Sequence, residues 1–161
     1  MIRTVMARMI ELFGKDAKRI GHALKVYGFA EVISKDLPPE SFSREVVALS
    51  AVLHDIGIPE AERKHGSSAG PYQEAEGPPI ARKILAGLGI SEKTVDRVCF
   101  IIGHHHSYDK IDGIDFQVIV EADFLVNIHE GGMARDAVES AGKKIFRTET
   151  GKRLLAGMYP A

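Results

Sequence analysis

The sequence predicts an all-α fold, a compact single-domain helical bundle. Three observations predict it. Apolar residues recur at helical spacing along nearly the whole chain, no stretch shows the two-residue alternation of a strand, and Gly and Pro fall between the helical stretches. There is no internal repeat and no low-complexity tract, and 161 residues fit one hydrophobic core. About six main helices plus short C-terminal helices are expected, forming one domain over 1–161. Its core is 16–130, with a helix at 2–13 and helices within 134–158 as additions.

Ile2, Val5, Met6, Met9, Ile10 and Phe13 lie on one face of a 3.6-residue period, and Gly14 stops that helix. Asp16 is placed to cap a second helix running to about Lys35, with His22, Val26, Ala30 and Ile33 on one stripe. Pro38 and Pro39 break the chain. A third helix from about Ser43 to Asp55 contains VVALSAVL, apolar almost all round, the pattern of a helix buried in the middle of a domain. Gly57 and Pro59 end it, and the 21 residues from Gly57 to Gly77 are expected as a long polar loop, flexible enough to act as a lid. Pro78 and Pro79 are expected to open a fourth helix to about Leu88. Ser91 caps a fifth that ends near His104–His106, and Asp115 caps a sixth to about Glu130. Shorter helices are expected over 134–141 and 149–158.

Charge narrows the function. With 21 Lys+Arg against 22 Asp+Glu the formal net charge is −1, which excludes broad electrostatic capture of nucleic acid or an anionic membrane. The single Cys99 forms no intrachain disulfide and no cysteine-based zinc site, and between Val98 and Phe100 it reads as a small buried apolar residue. No apolar run approaches the ~18 residues of a membrane span. Arg3, Arg8 and Glu11 interrupt the N-terminal apolar residues, so a signal peptide is not expected and a cytoplasmic enzyme or binding module is.

Chemistry enters where ligand-type residues interrupt apolar stripes. His22 sits on the core stripe of the second helix, and His54 follows Val47, Ser50 and Ala51 on the third. Asp55 closes that helix, where a carboxylate opposes the helix dipole at a cost of ~0.3–1 kcal/mol. Burial after an apolar run adds to that cost, so a positive partner is needed, and a metal ion is the simplest. On the sixth helix Phe116, Ile119, Val120, Asp123 and Asn127 share a face, which turns Asp123 inward. Val98, Ile101, Ile102 and His105 do the same on the fifth, with His104 ~100° round from His105. Two carboxylates and at least three imidazoles on inward helix faces suit a divalent transition metal.

The segments RIGHALKVYGFAEVI, ALSAVLHDIGI, EGPPIARKIL, IIGHHHS and VEADFLVN resemble the HD-domain superfamily of metal-dependent phosphohydrolases. The ordered set His22, His54-Asp55, Asp123 carries the resemblance. It implies a helical bundle holding one or two divalent transition metal ions (Fe, Mn, Co, Ni or Zn), with His22, His54, Asp55 and Asp123 on the first. Members with a second metal add histidines from the two following helices and let the motif Asp bridge. Here His104 and His105 are the candidate second-metal imidazoles, and His106 is expected to face solvent or substrate. Where a His usually begins the fourth helix, this chain reads Gln73-Glu74-Ala75-Glu76-Gly77. Glu76 is either a substitute oxygen ligand or a first-turn acid favoured by the helix dipole.

The reaction the resemblance implies is hydrolysis of a small phosphoester or nucleotide by a metal-activated water, with Asp55 orienting or deprotonating that water. Arg19, three residues before His22, and Arg63, Lys64 and His65 in the expected loop are candidates to bind the phosphate, against the alternative of solvated surface charge. His129, near a helix C-terminus, needs no special function. Two other activities stand beside this one: a di-iron oxygenase, which the superfamily also includes, and a non-catalytic nucleotide- or metal-binding module.

Overall fold

The computed structural model describes residues 1–160; the last residue of the expected 1–161 unit lies outside the described residues. Among the described residues the chain forms nine α-helices, two short 3-10 turns and no strand. The helices are α1 (Ile2–Phe13), α2 (Ala17–Lys35), α3 (Arg44–Leu53), α4 (Ile58–His65), α5 (Gly70–Leu85), α6 (Glu92–Ile102), α7 (Ile114–Gly131), α8 (Arg135–Lys144) and α9 (Glu149–Met158). No helix among the described residues is long and apolar enough to cross a membrane.

The all-α architecture follows from the spacing of apolar side chains. α3 lies at the centre, packed against α1, α2, α6 and α7, and its run of Val46, Val47, Leu49, Ala51, Val52 and Leu53 is buried on every side. The most extensive helix pairings are α2 with α7 and α2 with α3, so the three elements that carry His22, His54-Asp55 and Asp123 are packed directly on one another. The side chains of Asp16, Ser43, Ser91 and Thr148 accept from the backbone N–H groups of Arg19, Val46, Thr94 and Gly151, capping α2, α3, α6 and α9. Each such cap contributes about 0.5–2 kcal/mol.

Three local expectations are corrected. The segment from Gly57 to Gly77 is not a long loop: α4 begins immediately after Gly57, and α5 begins at Gly70. A lid of 21 flexible residues is therefore absent, and only residues 66–69 connect the two helices. Pro78 and Pro79 do not open a helix; they lie inside α5, although each lacks the N–H that a helix interior normally uses. Packing overrides that local cost. The Pro78 ring lies against Gly103, and Cys99 Sγ donates to the Pro78 carbonyl, so the prolines are seated against α6 and the turn after it. Asp115, expected as a cap, stands in the first turn of α7 instead, with Gly113 at the cap position. The carboxylate is taken by Arg97, which donates to both its oxygens at 2.7 and 2.9 Å.

Two glycines set the depth at which α5 can approach the centre. A Cβ on Gly57 would lie 2.6 Å from the Gln73 carbonyl oxygen and 2.6 Å from the Gly77 nitrogen, and one on Gly77 would lie 2.6 Å from Ile102 Cγ2. The residues read as punctuation in the sequence are contact points, bringing α5 against the turn that carries Asp55.

Candidate metal centre

Each functional side chain reaches the centre by a different element. α2 presents His22. His54 is the first residue after α3, still in helical conformation, and Asp55 follows in the turn. The turns after α6 present His105 and His106, and α7 presents Asp123 in its middle. His22, His54, His105 and Asp123 are buried, and His54 has no exposed surface at all.

The donor atoms converge. His22 Nε2 lies 3.2 Å from His54 Nε2, 3.0 Å from Asp123 Oδ1 and 3.5 Å from Asp55 Oδ2. His54 Nε2 lies 3.4 Å from Asp55 Oδ2 and 3.6 Å from Asp123 Oδ1. Ligands ~2.1 Å from a common cation stand ~3.0 Å apart at octahedral angles and ~3.4 Å apart at tetrahedral ones, so these spacings fit a divalent ion. Asp55 faces two ways: Oδ2 points at this group, and Oδ1 lies 3.4 Å from His105 Nε2. Asp55, His105 and His106 make a second group with the proximity that metal ligation requires.

Hydrogen bonding at the far side of each ring decides what Nε2 offers. His54 Nδ1 donates to the Ala51 carbonyl at 2.9 Å, His105 Nδ1 to the Ile102 carbonyl at 2.8 Å, and His22 Nδ1 to Glu130 Oε2 at 3.0 Å. A carbonyl only accepts, so the protons sit on Nδ1, and in the neutral rings the three Nε2 atoms turn lone pairs inward. His105 Nε2 is buried with no hydrogen-bond partner. An orphaned buried nitrogen of this kind is costly unless something electron-poor occupies its lone pair. The residues present fit a divalent cation.

Without a cation, protons take its place. Burial opposes charge on His22 and His54, but hydrogen bonds to Asp123 and the charges of Asp55 and Asp123 outweigh it, raising His22 and holding His54 well above the ordinary imidazole range. Burial likewise opposes ionisation of Asp55 and Asp123, yet the neighbouring imidazoles hold both below the ordinary carboxylate range. His106 is pushed down, first by burial and then by the charge of His105. The centre is built to hold positive charge among ionised carboxylates.

The structure thus brings together His22, His54, Asp55, Asp123 and His105 of the expected residues. It does not bring Glu76 or His104. Glu76 is taken by Lys64 Nζ at 2.7 Å and His65 Nε2 at 3.1 Å, and these partners hold its carboxyl below the ordinary range. His104 Nδ1 donates to the Phe100 carbonyl, and its ring leans on Phe100. His106, expected toward solvent or substrate, joins the Asp55 group instead; its Nε2 is 3.3 Å from Gln73 Oε1, and its backbone N–H donates to Glu74 Oε1. The reason is that α6 ends at Ile102, so a helical 100° step no longer tells which of the three histidines points inward. Arg19 binds Asp16 and Glu62, and Arg63 binds Glu60; with Lys64 and His65 on Glu76, none of the four expected phosphate-binding cations belongs to either group of candidate ligands.

Two supporting residues were not anticipated. Glu130 holds His22, and Gln73 holds His106. Glu130 carried a signal: it lies seven residues after Asp123 on the same stripe, in a last helical turn where an acid opposes the dipole. Gln73 carried none, because its place depends on α5 starting seven residues before Gly77.

A family model, HD domain, matches residues 19–144. The chain belongs to the HD domain family. The match takes in every candidate ligand of this HD domain and ends with α8, leaving α1 and α9 outside it. No curated protein and no solved structure matches the chain significantly.

Proposed function

We propose that this HD domain protein is a metal-dependent phosphohydrolase acting on a small phosphoester or nucleotide. One observation carries the proposal: three imidazole Nε2 atoms and two ionised carboxylates converge in a buried cluster, with His105 Nε2 left without a hydrogen-bond partner. Family membership supports it, since HD domains are mostly metal-dependent phosphohydrolases.

His22, His54, Asp55 and Asp123 would hold one ion, and Asp55, His105 and His106 a second, leaving Glu76 and His104 outside. Bound divalent ions supply positive charge that stabilises phosphoryl oxygens and makes water a stronger acid. The chain does the rest. Asn127 Nδ2 donates to Asp123 Oδ1 at 2.8 Å and fixes that carboxylate's rotation. Asp55 is ionised at neutral pH and stands between the two groups, so it is placed to accept the proton of the attacking water. The water oxygen bonds to phosphorus, the bond to the leaving oxygen breaks, and that oxygen takes up a proton. Lys64 and His65, on the helix that follows Asp55, and Arg19, one turn before His22, bind substrate phosphate by exchanging carboxylate partners for it; Arg63 lies farther into solvent.

Phosphate release is measured from an aryl phosphate and a panel of nucleotides with Mn²⁺, Co²⁺ or Ni²⁺ added. Turnover that is lost in Asp55→Ala is expected. Turnover unaffected in that variant, or oxygen consumption with iron and no phosphate release, contradicts the proposal.

A further inference from the structure

Of the three buried imidazoles whose Nε2 atoms face the cluster, two are fixed by the backbone. His54 and His105 donate Nδ1–H to the carbonyls three residues before them, a contact no substitution at another side chain removes. His22 differs. Its Nδ1 meets Glu130 Oε2 at 3.0 Å, across the α2–α7 interface. Glu130 in turn is held at its other oxygen by Lys25 Nζ at 3.0 Å, one turn along α2 from His22.

The position of Glu130 argues that the contact matters. It lies in the last turn of α7, where the carbonyl end of the helix repels a carboxylate. Asp123, the carboxylate that meets His22 Nε2, stands two turns earlier on the same helix. Glu130 and Asp123 therefore grip one ring from two sides, at Nδ1 and Nε2, 3.0 Å on each. A ring held in this way has one rotation, and once Nε2 is given to a cation the remaining proton stays on Nδ1 against Glu130.

We infer that Glu130 is a positioning residue for metal binding: it fixes the Nδ1–H tautomer of His22 and aims Nε2 into the first ion site. Partners of this type tune metal affinity by ~10–100-fold without touching the ion. The inference rests on the metal site of the proposed function, but on no assumption about the reaction.

Affinity for Mn²⁺ and Co²⁺ is measured by competition with a chromophoric chelator for the wild type, Glu130→Ala and Glu130→Gln. Long-range ¹⁵N NMR of the metal-free protein, taken at a pH above the raised His22 value where the ring is neutral, reports its tautomer. Glu130→Ala is expected to bind about 10–100-fold more weakly and to give His22 a mixed tautomer. Glu130→Gln, whose amide oxygen still accepts from Nδ1, is expected to recover most of the affinity. Wild-type affinity in Glu130→Ala, or Glu130→Gln as weak as Glu130→Ala, overturns the inference. Thermal melting of the metal-free variants separates loss of the site from loss of the fold. A wild type that binds neither metal removes the metal site itself, whereas normal wild-type binding beside an unaffected Glu130→Ala removes this inference alone.

Discussion

Metal and proton compete for the same imidazoles, which fixes how metal stabilisation must vary with pH. In the metal-free protein His22 and His54 have raised pKa values, through Asp123 and Asp55 acting against burial. A raised value means that their contribution to stability is full below the unfolded value of about 6.5 and is lost as pH rises through the folded values. Asp55 and Asp123 are lowered, so their contribution is lost only on strong acidification and stays constant across the range near neutrality. Metal must displace the imidazole protons, each costing about tenfold in affinity per pH unit below the raised value. Two imidazoles make the dependence as steep as about 100-fold per unit. At 100 times the dissociation constant a bound ion adds about 2.7 kcal/mol. At roughly 2–4 °C per kcal/mol for a chain of this size, that is a rise in Tm of roughly 5–11 °C. Thermal melts with and without Mn²⁺ between about pH 5.5 and 8 test this. The metal-free Tm should fall as pH rises while the metal-induced gain grows. A gain that is flat with pH, or largest at the acidic end, would refute the competition.

Other expected outcomes follow from single contacts. Gly57→Ala should destabilise by more than the about 1–3 kcal/mol of ordinary overpacking, because its Cβ meets backbone at 2.6 Å, whereas Gly77→Ala meets only the Ile102 side chain; equal denaturation midpoints for the two would contradict this. Glu121 is fully buried and accepts from Gln117 Nε2, from the backbone N–H groups of Arg147 and Thr148, and from the Thr148 hydroxyl. Glu121→Ala should cost about 1–3 kcal/mol for each buried donor stranded, read by urea unfolding, and should leave metal stoichiometry unchanged. Glu76→Gln should release Lys64 and His65 from a competing carboxylate and lower KM for a phosphoester, leaving metal content at the wild-type value; loss of an ion would restore Glu76 as a ligand.

How much of this was legible in the sequence differs between helix bodies and their ends. Inside regular helices the stripes carried true positional information, so His22 on α2 and Asp123 on α7 were turned inward by spacing alone. Past the last helical residue the rule has no force. That is why spacing places His105 inward but does not separate His104 from His106: the chain leaves α6 at Ile102 and turns. Pro78 and Pro79 misled for another reason. A local preference of a few kcal/mol against interior proline was outweighed by packing of α5 on α4 and α6, which depends on Gly57 and Gly77 meeting across 20 residues of sequence. Pro71, in the first turn of the observed helix, was the better opening signal. The shared partner of Lys64 and His65 was likewise invisible, since Glu76 reaches them only once α5 folds back on α4, whereas Glu60 stands at helical spacing from Arg63.

Equilibrium dialysis against Mn²⁺, followed by elemental analysis of wild type beside His54→Ala, tests the metal centre most directly. His54 is fully buried, with its Nδ1 fixed by the Ala51 carbonyl and its Nε2 3.2 Å from His22 Nε2 and 3.4 Å from Asp55 Oδ2. The wild type should retain at least about one ion per chain, and His54→Ala should lose it while remaining folded by circular dichroism. Equal metal content in the two proteins would contradict the assignment of the cluster as the ion site.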